Sequence, residues 1–236
     1  MRNLGRLLLW LGLLGLAGCG TPAVPYDRST AGDIKTIGLI TPRYPDRAYV
    51  ILASTVGQSF GLIGALVDAG MRSSRESSFA SLLASQRYSA PDVFEAQLVA
   101  ALQAQGYTVE KIAVTRDRQQ FLTDYHFPTD VHVDAYLDCI SGGYGYIAAG
   151  ITSEAAYRPI FHIACKLLRV ADGAILMRDS VIYNPVNPKG GFVSLPPDPT
   201  YQFVDFDTLM GDPPRAIAGL NDAATKTAQA VGTLLH

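Results

Sequence analysis

Val131-His132-Val133-Asp134-Ala135-Tyr136-Leu137-Asp138-Cys139 decides the fold. Val131, Val133, Ala135, Leu137 and Cys139 alternate with His132, Asp134, Tyr136 and Asp138, a period of two that marks a strand with one buried face. Working toward the C-terminus, residues 144–151 read as a weaker strand after Ser141-Gly142-Gly143. Residues 158–170 and 174–184 are two more strands. Ala171-Asp172-Gly173 between them reads as a hairpin turn, because Asp-Gly accepts positive φ. A long Pro/Gly-rich loop covers 184–200. Asp212-Pro213 then opens a last helix on which Ile217, Leu220, Ala224, Val231 and Leu234 keep helical spacing.

Toward the N-terminus, residues 33–40 and 47–54 are expected as two strands, separated by Pro42 and Pro45. Residues 56–85 read as helical. Ser89-Ala90-Pro91-Asp92 is a helix start with Ser as N-cap, and Phe94, Leu98, Ala101 and Leu102 form its apolar face up to Gly106. Residues 107–114 give another strand, and 115–130 a mixed segment. The order predicts an α+β, or mixed α/β, domain over 33–236: one largely antiparallel sheet with helices packed on it.

The chain has 236 residues, 48% apolar and 17% charged, with a net charge of −2. This excludes general disorder and a nucleic-acid binder working through bulk charge. Too few long apolar runs exist for a polytopic membrane protein. Without G-x-x-x-x-G-K-[ST] or G-x-G-x-x-G, nucleotide binding has no support, and no cofactor is expected. The charge deficit concentrates in 48–67, 139–153 and 180–197, and a contact surface is expected where these reach solvent.

Residues 1–18 read as a secretory signal: Arg2 and Arg6 are the basic region, and 7–16 an apolar stretch too short to span a bilayer. Leu16-Ala17-Gly18-Cys19 resembles the lipobox of bacterial lipoproteins. The resemblance implies a diacylglyceryl group on the Cys19 thiol, cleavage before Cys19, and N-acylation, typically with palmitate. Gly20 in place of Asp implies the outer membrane, facing the periplasm. Several acyl chains anchor firmly where one does not. Residues 20–32, rich in Pro, Thr, Ser and Gly, read as a tether reaching at most about 45 Å. Residues 61–70 look like a segment of uncharacterised proteobacterial lipoproteins, a likeness that carries no activity.

Cys139 and Cys165 then remain, both with inward parity. Either they form a disulfide between neighbouring strands, or they are two buried thiols.

Gly57-Gln58-Ser59-Phe60-Gly61 matches G-x-S-x-G between a strand and a helix, which makes Ser59 a candidate nucleophile. An upstream oxyanion segment is missing. The histidines are His126, His132, His162 and His236, none in a recognisable triad context. Asp172-Gly173-Ala174 would suit a patatin-like dyad but is explained as a turn. Residues 48–67 lack charge and are long enough to cross a membrane, with Gly57 and Gly61 as a G-x-x-x-G pair. A buried strand running into a glycine-rich helix explains them more simply. Asp134 and Asp138 share a strand face about 13 Å apart, too far for a glycosidase pair, and read as a solvated face. His132, Asp134 and His162 lack a further ligand for zinc, so no metal is expected. Tyr144 and Tyr146, among glycines, and the 184–200 loop are the candidate contact surface.

The function expected is a non-enzymatic, outer-membrane-anchored lipoprotein that binds or assembles with envelope proteins or itself. One alternative is a subunit of an envelope secretion or export assembly, since anchor, α/β domain and terminal helix are laid out similarly to curli-secretion-type lipoproteins. A periplasmic serine esterase using Ser59 is the other.

Overall fold

The computed structural model describes residues 22–53, 61–125, 127, 132–149, 156–186 and 191–236. Its strands are β1 (Thr36–Arg43), β2 (Tyr49–Ala53), β3 (Thr108–Ile112), β4 (Ala135–Ala149), β5 (Tyr157–Arg169), β6 (Ile175–Tyr183) and β7 (Val193–Leu195). Its helices are α1 (Arg28–Ala31), α2 (Gly61–Ser85), α3 (Ala90–Ala104), α4 (Phe206–Gly211) and α5 (Pro213–Thr233).

All seven strands form one sheet in the order β3-β1-β4-β5-β6-β7, with β2 also on β4. The class is mixed α/β, and the expectation of a largely antiparallel sheet is corrected. Only β4–β5 and β5–β6 are antiparallel; β1–β3, β1–β4, β2–β4 and β6–β7 are parallel. The antiparallel centre joins strands consecutive in sequence. The parallel flank arises because β1 and β2 lie end to end along one edge of β4, β1 on Ala135–Ile140 and β2 on Gly145–Ala149. Helices α2 and α3 then carry the chain back to β3, as parallel neighbours require.

β4 is one strand where two were expected. Ser141-Gly142-Gly143 is a register shift inside it, a bulge rather than a turn. Gly143 and Gly145 take φ of 144° and 141°, and a Cβ on Gly145 would strike the backbone of Tyr49. Glycine is what lets β2 lie against this half of β4.

α2, α3 and α5 cover one face of the sheet. Ser89 caps α3, its Oγ accepting the Asp92 N–H at 3.3 Å, and Asp212 caps α5. Phe79, Phe94, Leu98, Leu102, Leu220 and Val231 bury against Leu137, Phe161, Ile163 and Leu167. Close approach of α5 rests on small residues. A Cβ on Gly219 would meet the Tyr146 hydroxyl and Tyr201, and one on Gly232 would meet Ala101 of α3 at 2.8 Å. Gly219→Val is expected to destabilise the fold by about 1–3 kcal/mol through overpacking, read as a lower urea midpoint.

Asp172-Gly173 forms the β5–β6 turn as expected, with Gly173 at φ 70° and Asp172 Oδ1 accepting the Ala174 N–H at 3.0 Å. The reading of 20–32 as a free tether is corrected from Val24 onward. Val24 exchanges both backbone hydrogen bonds with Arg178 of β6, at 2.7 and 2.9 Å. Asp27 caps α1, and Ala31 is buried. Tyr26 reaches the Tyr107 hydroxyl at 3.3 Å. Composition suggested a linker, but an edge strand with open backbone groups captures it.

A continuous membrane span over 48–67 is also corrected. Ala48 and Val50 are buried, and Tyr49–Ala53 is a sheet strand. Among the described residues, no helix is long and apolar enough to cross a membrane.

Candidate functional site

The second face of the sheet carries the polar chemistry. Residues 113–125 strap across it, seating Val114, Leu122 and Tyr125 against Ile40, Ile112 and Tyr136. Asp138 is the centre. It is fully buried, with Arg116 Nη1 at 2.6 Å from Oδ1, while Oδ2 accepts the Leu122 N–H at 2.9 Å and the Tyr125 hydroxyl at 2.6 Å. The Arg116 side chain is only 3% exposed, and its Nε and Nη2 have no hydrogen-bond partner among the described residues.

Lys166 of β5 stands opposite Asp138 on one side and Arg178 of β6 on the other. Its ammonium lies over the rings of Phe121 and Tyr125, at 4.9 and 5.0 Å from their centroids. Burial, and then the neighbouring Arg178 and Arg116, push its pKa below the usual lysine value, while Asp138 opposes the shift. Arg178 makes no ion pair among the described residues. Arg116, Lys166 and Arg178 therefore cluster around one buried carboxylate, Asp138, which is already engaged by Arg116, Leu122 and Tyr125.

The reading of Asp134 and Asp138 as a solvated pair is corrected. Asp138 is the buried anion of the strap, and Asp134 Oδ2 accepts the Lys35 and Thr36 N–H groups at 2.9 and 2.8 Å, pinning the start of β1. Both use their charge on structure.

His132 is exposed before β4, whereas His162 pairs in register with Gly143. More than about 30 Å of strand lies between these positions. The His162 ring packs against Gly142, and burial lowers its pKa from the usual histidine value. Among the described residues, no three His, Cys, Asp or Glu side chains group as metal ligands. Ser59 and His126 lie outside the described residues, so the esterase set is not assembled by what is described.

Tyr144 and Tyr146 are corrected from contact surface to core. Tyr146 is fully buried, and its hydroxyl donates to the Ala216 carbonyl at 2.9 Å. Its ring meets Phe79 and Phe203 edge-on at 5.7 and 5.6 Å. Tyr144 packs on Phe161 at 6.0 Å. Tyrosine with a hydroxyl partner is a good core residue. Where they are described, the charge-poor stretches supply strands β2, β4, β6 and β7 and the start of α2. Part of the 184–200 loop becomes β7, covering the edge of β6.

The Sγ atoms of Cys139 and Cys165 form a disulfide between directly opposed residues of β4 and β5, Cα–Cα 4.2 Å. Sequence reasoning missed Lys166 and Arg178. Their signal was parity: Lys166 shares the outward positions of β5 with Arg158 and His162, and Arg178 is the one cation among Leu176, Ser180 and Ile182 on β6.

No family model matches the chain, and no curated protein matches it. Among solved structures, it is similar to protein XCC0632 of Xanthomonas campestris, of family DUF330, at 11% identity over 91% of this chain and 93% of that one, TM-score 0.42. It is also similar to the PelC dodecamer of Paraburkholderia phytofirmans, at 10% identity over 90% and 94%, TM-score 0.39. A point variant of that PelC gives 12% identity over 92% of each chain, TM-score 0.36. Likenesses this distant carry no activity or assembly over to this chain.

Proposed function

We propose that the chain is an outer-membrane lipoprotein, anchored through Cys19 on the periplasmic face, with a non-enzymatic binding or assembly role in the envelope. One observation carries the reading: Leu16-Ala17-Gly18-Cys19 ends five residues before Val24, the first residue paired into the sheet. An acylated Cys19 would pass almost directly into the folded domain. The binding role is supported by β2, β3 and β7, whose outer edges pair with no strand among the described residues. Open edges are ready templates for another chain.

Cys19→Ala tests the anchor. Wild-type chain is expected in the detergent phase after partitioning of cell envelopes, and Cys19→Ala in the aqueous phase. In-cell crosslinking tests the role. A ladder of self-linked species or a captured envelope protein is expected with probes on β2 or β3. Monomer alone from every edge position would contradict assembly.

A further inference from the structure

The anchor reading sets a distance. From Cys19 to Val24 the backbone spans at most about 18 Å. Val24 is bonded to Arg178, so the lipid exit and Arg178 are tied together. Beside them lies a groove of about 430 Å³ on the second face of the sheet, lined by Ala23, Phe121, Ala164, Arg178, Ser180 and Gly191.

We propose that this groove receives the phosphate of an anionic lipid headgroup in the leaflet that holds the anchor. The inference rests on the anchor reading and adds a ligand site to it. The charge balance supports it first. Arg178 lines the groove, and the buried Lys166, against the Phe121 ring, stands opposite it in register on the same side; the carboxylate opposite Lys166, Asp138, is engaged by Arg116, Leu122 and Tyr125. Asp179 also lines the groove, but it is opposite Cys165, on the other parity of β6, and its Oδ1 accepts the Ser180 N–H at 2.7 Å. Asp117 and Asp124 of the strap are exposed to solvent.

Placement supports it second. A buried lysine and a half-buried arginine side by side repel each other and favour an anion at the accessible one, Arg178. A guanidinium offers a phosphodiester charge-assisted hydrogen bonds. Phe121, half-buried under the Lys166 ammonium, gives the groove an apolar wall suited to the headgroup boundary. A leash this short lets the groove reach the headgroup layer, which a 45 Å tether would not enforce.

The test uses the full acylated chain in nanodiscs of phosphatidylglycerol and phosphatidylcholine in equal parts. Native mass spectrometry after release is expected to show phosphatidylglycerol retained about tenfold over phosphatidylcholine. Arg178→Gln and Lys166→Met should each abolish the preference. Arg158→Gln, an exposed charge elsewhere on β5, should keep it. Equal retention of the two lipids by wild-type chain would overturn the proposal. So would a preference untouched by both variants. Stabilisation by inorganic phosphate in detergent, without any lipid preference, would assign a free-phosphate site and overturn the headgroup. Flotation of the same chain with vesicles in high salt reads the anchor separately, so failure of the anchor and failure of the groove give different results.

Discussion

Asp138→Ala is expected to lower the stability of the fold by about 3–5 kcal/mol, the largest effect of any single substitution considered for this chain. The carboxylate is fully buried against an arginine side chain that is 3% exposed. Removing it leaves Arg116 without a counter-charge and brings Lys166 into an environment of cations only. The strap also loses two of its attachments, the Leu122 N–H and the Tyr125 hydroxyl. Urea unfolding reads the loss, and faster hydrogen exchange at Leu122 locates it. Arg116→Met combined with Asp138→Leu should recover part of the stability, since neither charge is then stranded. Recovery is incomplete because Lys166 still loses its opposite charge. A loss under about 1 kcal/mol for Asp138→Ala would mean a water-screened pair, contrary to the burial described.

Loss of the disulfide is the second large effect. Cys139 and Cys165 are 26 residues apart in sequence. Opening a loop of that size releases unfolded-state entropy worth about 3 kcal/mol on the chain-entropy account. The double variant Cys139→Ala, Cys165→Ala should therefore unfold at lower urea. Its m value should rise, because the freed unfolded chain exposes more surface. Both cysteines, one on β4 and one on β5, are buried, so a smaller packing loss adds to the entropy change. If reduction leaves the midpoint unchanged, the bond does not form in the native protein.

The sequence made the antiparallel centre legible, because period-two alternation and the Asp172-Gly173 turn are local signals. It also marked the starts of α3 and α5, where Ser89 and Asp212 offer capping oxygens to the first turn. The parallel flank was not legible. Nothing local in Thr36–Arg43 or Tyr49–Ala53 says that both strands share one edge of β4; that pairing is fixed by residues about a hundred positions away. Tyr144 and Tyr146 were misplaced for a related reason. Glycine beside tyrosine looks like adaptable surface, whereas Gly143 and Gly145 are there to admit Tyr49.

The polar face shows the same limit from the other side. Asp138 stood on the outward parity of its strand, which was read as solvent. The strap that covers it is an irregular segment with no periodicity of its own, so its position follows from tertiary contacts alone. The 20–32 segment failed as a tether because composition reports flexibility only when no partner is present. Here the edge of β6 supplies one to Val24.

The proposed lipid anchor would set where the domain sits and what its faces can reach, and the intact mass of the mature chain tests it most directly. Chain purified from the envelope is expected to begin at Cys19 and to carry one diacylglyceryl group and one N-linked acyl chain. A mature chain that starts elsewhere, or one that starts at Cys19 with an unmodified thiol, would contradict the account.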